Sequence, residues 1–309
     1  MPCGLFFCVM ISCALVCAQA ASQSRTSDSY PSDYFHPGTL AYHLSTNALG
    51  FARGHAAGSD DMRMFSNWHY AEYTRTNLAL LTNAVWSTRF WLHGVRGLSA
   101  ISLGYSNGMG GQSLVTMVSP RHYLFAAHQH PEGFLVAFLD TNNIIYWRKT
   151  LQRLDLGNDT AVGILNADLP PSVGFMPVVP ADLTSYLPAN RATFVQGIGM
   201  NQDMVMFGQP MSFGYPPYVA WDRTRPVPFG LGTNWNVALR GGDSSNPAML
   251  LIGDQLVMVS HNFAISAGPD YALQIEGINR AMHTLSTHNR AGSDYQLTIF
   301  SLTNWPKLR

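Results

Sequence analysis

Cysteine is confined to one end of this chain. All four, Cys3, Cys8, Cys13 and Cys17, fall within residues 1–20 of the 309. The other residues therefore contain no disulfide, no thiol chemistry and no cysteine-based metal site. Such a protein is held by its core alone, and a chain of this length can bury one. Charge is scarce as well. Only 12% of residues are charged, the 18 Lys and Arg balance the 18 Asp and Glu, and no basic cluster stands out. That excludes the electrostatic footprint of a nucleic-acid-binding protein. Low charge combined with 47% hydrophobic residues also excludes intrinsic disorder. No glycine-rich loop opens a helix with Lys-Ser or Lys-Thr, so a nucleotide site is not expected. There is no internal repeat and no low-complexity tract.

Residues 5–17 form the long uncharged run, and Ala18-Gln19-Ala20 follows it with the small-x-small form of a signal-peptidase site. Residues 1–20 are therefore expected to be a signal peptide cleaved after Ala20, with export to a periplasmic or extracellular location and no membrane association afterwards. The run is short for a transmembrane helix, which needs ~20 residues. A lipoprotein signal ending at Cys17 is the variant reading, disfavoured by the bulky Val16. The plain alternative is a buried N-terminal helix or strand.

Glycine, proline, Asn, Ser and Thr are frequent and evenly spread, as in a β-rich chain with many turns. Residues 21–35 are polar. Residues 37–51 and 60–84 have a loosely helical pattern, in which Met64, Trp68, Ala71 and residues 78–81 share a face. From residue 85 the texture changes to short apolar runs divided by turn signals. Strands are expected over 85–92, 113–118, 123–127, 134–139, 144–147, 161–165, 192–198, 203–207, 249–252 and 255–260. This spacing indicates an all-β sandwich or barrel. Residues 275–285 have a 3.6-residue period and predict a terminal helix.

Three short segments carry the chemistry: Phe125-Ala126-Ala127-His128, Gly157-Asn158-Asp159-Thr160, and Gly241-Gly242-Asp243-Ser244-Ser245-Asn246-Pro247. Each has a bland reading. A histidine after Ala-Ala is commonly a packing residue, Asn-Asp-Thr is an ordinary turn, and the third segment is made wholly of loop residues. Together they place His, Asp and Ser in one chain order, and other triad folds use other orders. Serine is not nucleophilic at neutral pH without a base, so a histidine and an orienting carboxylate are its expected companions.

On these motifs the chain resembles the trypsin/chymotrypsin-like serine peptidase family, as a compact bacterial-type member, over about residues 96–286. The resemblance implies two packed six-stranded antiparallel β-barrels with a C-terminal helix, preceded here by a partly helical N-terminal extension. The implied division is residues 21–95 as that extension (a pro-segment, a small accessory domain or a wrap), 96–290 as the double barrel, and 291–309 as a C-terminal tail. It implies a secreted serine endopeptidase acting on peptide or ester bonds of a peptide or protein substrate, with no cofactor and no metal. His128, Asp159 and Ser244 would be the triad, and the N–H groups of Gly242 and Ser244 the oxyanion hole. Ser260 would stand beside the triad aspartate, with His261 and Asn262 narrowing the substrate pocket. Ala238 would lie at the pocket base, leaving it uncharged, and Asp270 on the opposite wall could supply a charge.

Several positions depart from the family pattern. Ser245 replaces a glycine, which is costly if φ is positive. Gln129 and Arg240 stand where cysteines are usual. No activation cleavage site of the Ile-Val-Gly-Gly kind is present, so Asp243 is expected to find another partner, such as an arginine. Two alternatives remain: a catalytically weak or inactive protease-like binding module, and a zinc cluster of His128, His130 and Glu132, for which spacing marks no further ligand.

Overall fold

The computed structural model describes residues 34–67, 83–106, 112–188, 190–264 and 266–308. The expected signal peptide, the cysteines and most of the polar segment 21–35 lie outside the described residues, as does 68–82 of the expected helix over 60–84.

The first β unit contains a ribbon of β1 (Tyr105–Ser106) and β2 (Gln112–Ser113). It continues with β3 (Thr116–Met117), β4 (His122–Ala126), β5 (Leu135–Leu139), β6 (Ile145–Gly157) and β7 (Thr160–Leu165). The last five form an antiparallel sheet in the order β3-β4-β7-β6-β5. Among the described residues this sheet has five named strands. Residues 101–104 take the sixth place: Ile101 bridges Thr116 on one edge and Gly104 bridges Ala137 on the other. That segment joins both edges and closes the sheet, which removes exposed strand edges. β4 and β7 are buried along their whole length, so they read as continuous apolar runs without alternation. Gly163 is required between them, because the Tyr123 ring lies where its Cβ would be.

The second unit contains β8 (Val195–Met200), β9 (Met206–Tyr215), β10 (Tyr218–Trp221), β11 (Pro247–Ile252), β12 (Gln255–His261) and β13 (Ala267–Pro269). The order is β12-β11-β8-β9-β10-β13, antiparallel throughout. β13 turns back against β12: the N–H groups of Phe263 and Ala264 both donate to Ala267 O at 3.3 Å. A Cβ on Gly268 would sit 1.9 Å from His261 O, so this closure needs glycine.

Two α-helices complete the described fold. α1 (Leu40–Ala52) is capped by Thr39, whose side chain accepts the Tyr42 N–H. It buries Leu40, Ala41, Leu44 and Ala48 and packs on β8 and β11. Asn47 Nδ2 fastens it by donating to Leu251 O and Gly253 O at 3.1 and 2.9 Å. α2 (Ile275–His288) lies on β6 and β7 and buries Ile278, Ala281, Met282 and Leu285, the 3.6-residue stripe visible in the sequence. Two closed antiparallel units with a C-terminal helix are the architecture that the resemblance implies.

The expected strand over 85–92 does not form. These residues make turns, with Trp86 in an isolated bridge to Phe65 and Trp91 Nε1 donating to Met206 O at 3.0 Å. Among the described residues of 60–84 no α-helix forms, and Asp60–Met62 make a short 3-10 turn. The C-terminal tail packs back on the body: Ile299 bridges Val178, and Leu297 and Leu302 are buried.

Candidate active site

Asp159 sits at the tip of the β6–β7 hairpin. Gly157 pairs with Thr160, leaving Asn158 and Asp159 as a two-residue loop with φ 49° and 57°. Positive φ at both central residues is what a type I′ hairpin turn requires, and Asn and Asp tolerate it best among non-glycine residues. The turn reading and the functional reading of this segment are therefore compatible. The hairpin presents the Asp159 carboxylate to the turn that follows β4. There Asp159 Oδ1 accepts the His128 backbone N–H at 2.9 Å, and Oδ2 lies 2.6 Å from His128 Nδ1. Both side chains are only partly exposed, 28% for His128 and 21% for Asp159.

Arg153 on β6 holds the His128 turn in place. Its Nη1 donates to Ala127 O and to Gln129 O, and its Nε lies 2.5 Å from Glu132 Oε1. Where the resemblance expects a cysteine at Gln129, this chain clamps the same turn with a guanidinium. Glu132 is thereby engaged by Arg153, while His130 is exposed. Among the described residues no three metal-ligating side chains gather.

The Ser244 turn is built from inside. Gly242 has φ 100°, and a Cβ there would approach Gln202 Oε1 to 2.6 Å. Asp243 is buried, and burial raises its carboxyl above the ordinary range, against the hydrogen bonds that favour its charged form. Its oxygens accept the backbone N–H groups of Gln202 at 2.8 Å and Arg240 at 2.7 Å. Arg240 thus meets Asp243 with its main-chain N–H, a donor that any residue but proline could supply. Its guanidinium goes to Asp203 at 2.5 Å.

Ser245 has φ 73° and is fully buried. Its Oγ accepts the Ala126 N–H at 2.9 Å, and its N–H donates to Asn262 O at 2.8 Å. The first bond brings the loop of Ser244 against the end of the strand that leads into His128. Ser244 is itself partly exposed. Among the described residues no hydrogen bond joins Ser244 Oγ to the His128 ring, and the N–H groups of Gly242 and Ser244 have no acceptor.

The substrate-pocket residues disperse. Ala238 is exposed and lines a cavity of about 210 Å³ with Trp221, Asp222, Asn236, Val237 and Ser266. Ser260, His261, Asn262 and Asp270 are all buried and are not on its wall. Ser260 does not reach Asp159, since its Oγ donates to His261 O at 3.1 Å. His261 instead meets the Asp159 main chain, with Nε2 3.1 Å from Asp159 O and Nδ1 hydrogen-bonded to the Tyr271 hydroxyl. Neighbouring residues on a strand face opposite ways, so Ser260 and His261 do not share a side of β12. Asn262 pairs with Asn246 through its main chain, and its side-chain amide has no hydrogen-bond partner among the described residues. Asp270 caps the short turn Tyr271–Leu273 by accepting the Ala272 N–H at 3.0 Å. Burial lifts its carboxyl to about 6. Arg153, Tyr271 and the main-chain donors to Asp243 carried no local sequence signal.

No family model and no curated protein matches the sequence. Among solved structures, the chain is similar to kallikrein-related peptidase 10 in complex with Zn2+ at 13% identity, covering 61% of this chain and 98% of that one, with a TM-score of 0.41. It is also similar to a mutant of human heparin binding protein at 14% identity, covering 60% of this chain and 91% of that one, with a TM-score of 0.45.

Proposed function

We propose that this protein is a serine hydrolase of peptide or ester bonds, acting through an acyl-enzyme on Ser244. The observation that carries the reading is the pairing of His128 Nδ1 with Asp159 Oδ2 at 2.6 Å, at a strand end tied by the Ala126–Ser245 bond to the loop of Ser244. In this reading Asp159 holds the proton on His128 Nδ1. Nε2 is then the free base that takes the Ser244 hydroxyl proton and later returns it to the leaving group. Free sites are often looser than substrate complexes, so the hydrogen bond from Ser244 Oγ to His128 Nε2 is expected to form with substrate bound.

The N–H groups of Gly242 and Ser244 would receive the oxyanion of the tetrahedral intermediate, each worth ~3–4 kcal/mol of barrier. Ala238 puts no charge on the cavity wall at its position, and although Asp222 and Arg223 line the same cavity, small or apolar side chains before the cleaved bond are the expected preference. A fluorophosphonate probe tests the proposal. Labelling at Ser244, lost in His128→Ala, supports it. Absence of labelling together with absence of peptide and ester hydrolysis leaves the binding-module reading, which the positive φ of Ser245 and the missing Ser244–His128 bond favour.

A further inference from the structure

Asp159 occupies a left-handed backbone conformation, between Asn158 in the same region and β7. Its carboxylate is taken up by His128. Both residues belong to the first β unit, whereas Ser244 belongs to the second. A relation between Asp159 and the second unit runs through His261. This residue ends β12, pairs with Pro247 at the start of β11, and is fully buried. Its Nε2 is 3.1 Å from the Asp159 carbonyl oxygen, and its Nδ1 meets the Tyr271 hydroxyl.

The proton positions follow from the chemistry of the partners. A carbonyl oxygen only accepts, so His261 Nε2 carries a proton. Burial brings the ring down to about 4, outweighing the opposing influence of Asp159, so it is neutral near pH 7 and holds one proton. Nδ1 is then the acceptor, and Tyr271 donates to it. Burial, with Asp159 adding to it, pushes the Tyr271 hydroxyl well above its ordinary value, which keeps that proton in place. Tyr271 donates to His261, and His261 donates to Asp159, in one direction and one tautomer. The Ala127 N–H reaches the same carbonyl at 2.8 Å, so both lone pairs of that oxygen are used.

We infer that His261, locked by Tyr271, is a positioning residue for Asp159: it pins the left-handed turn to the β unit that carries Ser244 and so aims the carboxylate at His128. Its consequence for turnover rests on the hydrolase reading above, while its consequence for the Asp159–His128 pair does not. The full-length chain is compared with Tyr271→Phe, His261→Leu and His261→Gln. Nitrogen-15 spectra of the imidazoles should show wild-type His261 protonated at Nε2 alone. Tyr271→Phe should admit the second tautomer, and His261→Leu should broaden or abolish the hydrogen-bonded Nδ1 proton signal of His128. In turnover, Tyr271→Phe and His261→Leu should each lower kcat about tenfold with KM unchanged, a barrier change of ~1.4 kcal/mol. His261→Gln, which retains a side-chain N–H donor, should recover most of that loss.

A wild-type His261 protonated at Nδ1 overturns the inference, as does a His128 signal unaltered in the folded variants. Tyr271→Phe leaves the packing in place and decides the matter if His261→Leu does not fold. If the wild type neither turns over substrate nor labels at Ser244, the hydrolase reading falls, and the two spectroscopic outcomes still decide the role of His261.

Discussion

Ser245 Oγ accepts the backbone N–H of Ala126 at 2.9 Å, and this bond joins the residue after the candidate nucleophile to the last residue of the strand leading to His128. The bond accounts for a serine where glycine is the easier choice. A positive φ costs a non-glycine residue about 1–2 kcal/mol, whereas leaving a buried N–H without an acceptor costs about 1–3 kcal/mol.

Ser245→Ala keeps the strained backbone and loses the acceptor, so it should destabilise the protein by about 1–3 kcal/mol. Ser245→Gly loses the acceptor but relieves the backbone, so its loss should be smaller by ~1 kcal/mol. Urea unfolding of the two variants checks the order. An alanine variant as stable as the glycine variant would remove the compensation from the account.

The triad assignment makes a kinetic prediction. Ser244→Ala and His128→Ala should each abolish nearly all activity, and the double variant should lose little more, because the groups act as a unit. Asp159→Asn should keep the fold, lose the tautomer that Nδ1 needs, and cost ~10⁴ in turnover. Steady-state kinetics with intact circular dichroism tests each. Additive losses in the double variant would break the assignment.

Arg153 should prove indispensable to the His128 turn. Arg153→Ala removes its donors to Ala127 O and Gln129 O and leaves Glu132 without this cation, a loss of ~2 kcal/mol. Arg153→Lys should not restore stability, since a single ammonium cannot span three acceptors as the guanidinium does. Hydrogen exchange at residues 127–130 should rise in both variants. Unchanged protection there would show that the clamp is dispensable.

Stability should fall as pH drops below neutral. His122 and His261 are each held to about 4 by burial, against an ordinary 6.5. Between those values the unfolded chain binds more protons than the folded one, so acid favours unfolding from about pH 6.5 down to about 4, by ~3 kcal/mol per histidine. Asp270 works the other way. Its carboxyl is raised by burial to about 6 from 3.8, so the folded state binds the extra proton, and its stabilising protonation is lost as pH rises through 6. Asp243, also raised by burial, acts with Asp270, and His43, lowered by burial, acts with the two histidines, whose large shifts set the net direction. Thermal unfolding at pH 7, 6 and 5 should show a falling midpoint, and Asp270→Asn should steepen the fall by removing the opposing group.

Composition and periodicity were enough to read the all-β class, the helix over 275–285 and most of the strands, because a buried strand leaves an apolar run and an amphipathic helix leaves a stripe wherever they occur. The pairing of His128 with Asp159 was legible for a related reason: each sits in a short segment whose residue types are demanded locally. What only the tertiary structure decided depends on groups far apart in the chain. The closing of the first sheet by residues 101–104, the guanidinium on the His128 turn and the main-chain donors to Asp243 leave no local pattern, since any exposed loop or arginine looks the same in sequence. The contact of His261, not Ser260, with the Asp159 carbonyl is the sharpest case. The period of a strand is two residues, so a one-position error in alignment reverses which side chain faces the site, and only the pairing of β12 with β11 sets which it is.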